Sequence, residues 1–171
     1  MSDGLRDPLR HNAWATKGLI EFCKHLTAEQ LRATSEGTYG SIIATLQHIV
    51  SGEALYRLRL TGTAPDWPSR PEDTEDLDDL ERMAGDMARF WDELVAGAFD
   101  SERIATWVSS VSGAQTDVSA GVLIAQTLNH GNEHRAQIFT TLTTIGVEPP
   151  DLDGWSYGMA TGRFREDPPR S

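Results

Sequence analysis

Apolar residues recur along this chain at alternating spacings of three and four, the period of a helix with one buried face. The clearest case is Leu77, Leu80, Ala84, Met87, Trp91, Leu94 and Ala98, a stripe that predicts a long helix from Thr74 to about Phe99. Thr74 is its expected cap, and acidic residues crowd the first turn, where the helix dipole favours them. Asp7-Pro8 reads as another helix start, with Pro at the first helical position, where its missing N–H is harmless. That helix carries Leu9, Ala13, Trp14, Ile20 and Phe22 and runs to about Leu26. Thr27 and Gln30 have the spacing of a capping box and predict a short helical turn. Ser41 predicts a cap for a helix through Ile42, Ile43, Leu46, Ile49, Val50 and Leu55 to about Leu60, stopped by Thr61-Gly62-Thr63. Pro65, Pro68 and Pro71 mark an extended loop after it.

The period changes over residues 103–118, RIATWVSSVSGAQTDV. β-Branched and small polar residues around Ser112-Gly113 predict a small hairpin or an irregular excursion. Ser119 then opens a last long helix, from about Ala120 to Ile145, closed by Gly146 and followed by Pro149-Pro150. In the remaining tail Trp155 and Tyr157 are the expected packing anchors. Four helices of this length predict an all-α four-helix bundle with a short excursion before the last helix. With 171 residues the chain is expected to form one domain, residues 1–171.

Composition narrows the functional classes. Hydrophobic residues at 39% and charged residues at 24% mark a globular chain rather than a disordered one. The net charge of −11 leaves no basic stripe to neutralise phosphates, so neither nucleic acid nor an acidic membrane surface is an expected partner. No apolar run approaches the ~20 residues of a membrane span. MSDGLRDPLR lacks the apolar segment of a secretory signal, so a cytoplasmic location is expected. The single cysteine, Cys23, lies in a helical pattern and reads as a small buried hydrophobe.

The chemistry lies in the five histidines. His130 and His134 are four apart within NHGNEHRAQI, which places both imidazoles on one helix face, roughly 5–6 Å apart at Cβ. They can share one metal ion. A third imidazole from another helix would complete a facial set and leave positions open for water or substrate. His48, amid Leu46, Ile49 and Val50, is the best-placed third partner; His11 is the reserve, and His25, near the end of the first helix, reads as solvated. The pair is not the zincin HExxH motif. Gly131 follows His130, and Glu133 is turned about 100° from His134. Gln137 shares the histidine face and is expected to orient a ligand. Glu133 and Arg135 are expected on flanking faces in salt bridges. Asn12 and Trp14 are further candidates for the pocket, with capping and core packing as their structural alternatives.

Three stretches carry a resemblance to a known family. RHNAWATKGLIEFCKHLTAEQL, YGSIIATLQHIVSGEALYRLRL and NHGNEHRAQI, in that order, resemble the first, second and fourth helices of the DinB/YfiT-like superfamily of metal-dependent bundles. PPDLDGWSYGMATGR resembles a common ending in that family, so the likeness spans about Arg10 to Arg163. It implies a four-helix bundle, often a homodimer, with three histidines on one divalent metal. Matched residue by residue, these are His48, His130 and His134. Zinc or nickel is the first expectation among ions that three imidazoles suit. Relatives include thiol transferases and thiol-dependent isomerases, so the resemblance implies a thiol as small-molecule substrate and thiol-linked transfer somewhat ahead of hydrolysis. No individual catalytic residue is predicted. The alternative is a non-enzymatic, stress-related bundle that binds metal or a small ligand.

Overall fold

The computed structural model describes residues 3–166; the ends of the expected single domain, residues 1–2 and 167–171, lie outside the described residues. The protein is mostly helical, with one small two-stranded sheet. Helix α1 spans Asp3–Cys23, α2 Ala28–Leu31, α3 Ile42–Thr61, α4 Leu77–Ala96, α5 Ala120–Thr144 and α6 Gly154–Ala160. A single 3-10 turn, Pro71–Asp73, lies in the proline-rich loop. Strands β1 (Ile104–Val108) and β2 (Gln115–Ser119) form an antiparallel hairpin between α4 and α5, with Ala105 facing Val118 and Trp107 facing Thr116. Helix α1 packs along α4 and α5, and α3 along α5 and α4.

Local chemistry sets most boundaries. Ser41 Oγ accepts the Ala44 N–H at the start of α3, and Gly62 ends that helix in the left-handed region (φ 75°), its N–H donating to Leu58 O at 2.7 Å. The Thr27–Gln30 capping box forms with both of its hydrogen bonds, 2.8 and 3.2 Å. Four expectations need correction. Helix α1 starts at Asp3, not Asp7, and holds Pro8 inside. Leu5, one turn before Leu9, packs into the same apolar cluster, so burial extends the helix upstream although Pro8 forfeits one backbone hydrogen bond. Helix α4 is capped by Asp76, whose carboxylate accepts the Asp78 N–H; Thr74 Oγ1 instead accepts the N–H of Asp76. The helix ends at Ala96, and its buried stripe finishes on Val95 in place of Leu94 and Ala98. The tail contains a further helix, α6, capped by Asp153; Tyr157 is its buried anchor while Trp155 is exposed.

Ser119 does precede α5, but its side chain makes no capping bond. The free N–H groups of Ala120 and Gly121 donate instead to Arg103 O and Ser101 O, both at 2.8 Å. The hairpin's own geometry thus caps the helix.

The core is divided. One apolar cluster joins Leu19, Ile20 and Cys23 to Ile42, Ile43, Leu46, Ile49 and Val50, to Leu77, Leu80, Met83 and Ala84, and to Ile138 and Leu142. The second joins Leu9, Tyr56, Leu60, Met87, Trp91, Val95, Leu123 and Ile124. Buried polar side chains fall between them along the helices: Asn12 and Thr16 on α1, Glu53 on α3, and Thr127, His130, His134 and Arg135 on α5. Cys23 is fully buried in the first cluster, and desolvation pushes its thiol up to about 12, so it remains protonated.

Candidate metal centre

The polar layer contains the site. His48 on α3 meets His130 and His134 on α5, and one ring nitrogen from each lies within 4.8 Å of the others. Ring centroids are separated by 4.8 Å (His48–His130), 4.7 Å (His48–His134) and 4.5 Å (His130–His134). The Nε2 atoms of His48 and His130 face each other at 3.0 Å. His130 and His134 are buried and His48 is half-buried. A three-histidine group of this spacing can hold a metal ion.

Several features favour the neutral, ligand-competent form of these rings. Burial lowers the His130 pKa to about 4, aided by the neighbouring His134 and His48. Burial and His134 also lower that of His48, while Glu72 acts in the opposite direction. Gln137 sets the tautomer of His134. Its Oε1 accepts the backbone N–H of Tyr39 at 3.0 Å and lies 3.0 Å from His134 Nδ1. A backbone N–H only donates, so the bridging atom is the oxygen and His134 Nδ1 is the donor to it, which leaves Nε2 as the nitrogen that can face a metal. The expectation for Gln137 as an orienting residue agrees with this geometry. The Tyr39 ring stacks on His48 at 4.0 Å and meets His134 edge-on at 5.3 Å, shielding two of the three imidazoles.

Backbone space has been left for His130. A Cβ on Gly52 would lie 2.5 Å from its Cε1 and 3.1 Å from its Nδ1. That Nδ1 is itself buried without a hydrogen-bond partner among the described residues. The ring is therefore held by packing in a glycine-lined cradle, with its other nitrogen turned toward His48.

Directly against the histidines lies a buried network that draws on all four long helices. Asn12 Nδ2 donates to Glu53 Oε1 at 2.9 Å, and Trp91 Nε1 donates to Glu53 Oε2 at 3.0 Å. Arg135 Nη1 donates to Asn12 Oδ1 at 2.9 Å and to Thr16 Oγ1 at 3.0 Å. Burial pushes the Glu53 carboxyl up; the two N–H donors and the Arg135 charge pull it back. Both Glu53 oxygens accept from N–H groups, which suits the ionised carboxylate. Burial lowers Arg135 to about 10, still charged at neutral pH, and Glu53 opposes that shift. Asn12 thus bridges a buried cation and a buried anion.

This network corrects the expected placing of Arg135 on a flanking face in a salt bridge: its side chain is buried and held by Asn12 and Thr16, while Glu133 is exposed. Asn12 belongs to the network beside the histidines. Trp14 packs edge-on against Tyr157 at 5.7 Å. The reserve candidate His11 lies apart from the trio: its Nε2 is 2.9 Å from Leu152 O and its ring packs on Trp14 and Tyr157. His25 is exposed beyond the end of α1. Sequence reading missed Glu53, Tyr39 and Glu72. Glu53 had a signal, a charged residue at helical spacing from Ile49, Val50 and Tyr56, all buried.

The model of the DinB family matches residues 1–168. This chain belongs to the DinB family. A comparison with curated proteins gave no match. Among the described residues of this DinB chain, no helix is long and apolar enough to cross a membrane.

Proposed function

We propose that this DinB-family chain binds one divalent metal ion through His48, His130 and His134 and uses it as a metal-dependent enzyme, in thiol-linked transfer or hydrolysis. The observation that carries the reading is the convergence of three imidazoles from two helices, two of them facing through Nε2 at 3.0 Å. The chain supplies what such a centre needs. Burial favours the unprotonated form of His130 and His48, Gln137 orients His134, and the Gly52 cradle fixes one ring position. Bound there, a divalent ion contributes Lewis acidity, lowering the proton affinity of a water or thiol that reaches it. Tyr39 and the buried polar layer limit water on two sides. Zinc or nickel suits the all-nitrogen donor set. The four long helices are read as a four-helix bundle; the family resemblance supports a homodimer, and a cytoplasmic location is part of the same reading.

Metal analysis of protein purified without a histidine tag tests the reading. About one ion per chain is expected, falling to a small fraction of that in His48→Ala. Undiminished metal in the variant removes His48 from the ligand set. Stabilisation by a thiol only in the metal-loaded protein, read by thermal shift, favours transfer over hydrolysis.

A further inference from the structure

Helix α3 carries a second feature one turn beyond His48. The proline-rich loop crosses it there and is fastened at two points: Gln47 Nε2 donates to Thr74 O at 2.6 Å, and Ser51 Oγ donates to the carboxylate of Glu72. The loop's far side is fixed too, because Trp67 Nε1 donates to Asp86 Oδ2 at 2.9 Å. Between helix and loop lies a groove of about 440 Å³, within the usual size of a small-molecule site. Its walls are Ala54, Leu55, Leu58, Pro65, Trp67 and Pro68, with Ser51, the lining residue nearest His48 along α3, and its partner Glu72. Leu55 and Leu58 are large apolar side chains left 43% and 39% exposed.

We propose that this groove is the substrate cleft of the metal centre and takes a small molecule with an uncharged, ring-sized apolar tail, its metal-seeking head directed past Ser51 and Glu72 toward His48. The inference rests on the metal reading given above. Continuity argues for it: Ser51, which lines the groove, follows His48 by one turn on the same side of α3, and its hydrogen-bond partner Glu72 bounds the groove beside it. The chemistry of the walls selects the tail. They are apolar, and the groove's cation, Arg70, is already held by both carboxylate oxygens of Asp73 at 3.0 and 3.1 Å. An anionic tail would meet Glu72 and Asp73 with no cation to balance it.

Two hydroxamates with one metal-binding head test the idea: acetohydroxamate and 3-phenylpropanohydroxamate, titrated into the cobalt-loaded protein and followed by its visible spectrum. The phenyl compound is expected to bind about tenfold tighter or better, from burial of its ring. Leu58→Gln, at an exposed position, and Ala54→Trp, which fills the groove, are expected to remove most of that preference. Acetohydroxamate affinity and the cobalt spectrum stay unchanged in both. Equal affinities in the unaltered protein, or a preference that survives both substitutions, overturn the cleft while the cobalt spectrum leaves the metal centre standing. A protein that gives no cobalt spectrum at all overturns the metal reading and the cleft with it.

Discussion

Gly52 and Gln137 show how single residues tune the centre. Replacing a mid-helix glycine by alanine ordinarily stabilises a helix by about 1 kcal/mol. At Gly52 the added methyl would press on the His130 ring. Gly52→Ala is therefore expected to leave the unfolding midpoint in urea unchanged or lowered, since overpacking costs about 1–3 kcal/mol, while weakening metal binding by about tenfold or more, on the scale of a lost ligand-orienting contact. A metal titration that matches the unaltered protein would contradict the cradle. Gln137→Leu removes the acceptor shared by His134 Nδ1 and the Tyr39 N–H. Its expected effect is a ~10–100-fold loss of metal affinity, measured by competition with a chromophoric chelator. The His130/His134 spacing and the shared face of Gln137 were legible in the sequence because helical periodicity alone fixes them. Tyr39 was not, since a loop residue's approach to a helix depends on tertiary packing.

Among the elements, the long helices followed their apolar period and their caps, which is why Ser41, Thr27 and Gly62 could be read directly. The exceptions have physical causes. Pro8 was overruled by burial of Leu5, Thr74 lost its cap to Asp76, and α6 is too short for its period to stand out. Arg135 was misplaced because a charged helical residue among polar neighbours reads as solvated unless its buried partner is known. Here the partners come from α1 and α3. Glu53→Leu is expected to destabilise the protein by about 3–5 kcal/mol, because it leaves the Arg135 cation buried without compensation. Adding Arg135→Met should recover much of that loss. Urea unfolding of the single and double variants measures both, and additive losses would show that the two charges do not act on each other.

For the whole molecule, the buried imidazoles shape the response to acid. The folded-state pKa of His130 is about 4, below the ordinary 6.5 of an unfolded histidine. Its contribution to stability is complete above 6.5 and declines as pH falls from 6.5 toward 4, since the unfolded chain takes the proton first. His48 shifts in the same direction. The raised pKa of Glu53 works oppositely, but it is common to any histidine variant. Metal-free protein is therefore expected to lose stability more steeply between pH 6.5 and 4 than His130→Gln, compared by urea midpoint at each pH. Parallel curves would mean that the ring takes up its proton in the fold at the same pH as in the unfolded chain.

The division of the core by a charged layer also restricts which arrangements of the same helices are tolerable. Sliding one helix along another by a turn would swap leucine for leucine in a uniformly greasy interior, with little penalty. In this chain such a slip would strand Glu53 or Arg135 against hydrocarbon and part Asn12 from both. The vertical alignment that brings His48 level with His130 and His134 is thus enforced by its neighbours, before any ion arrives.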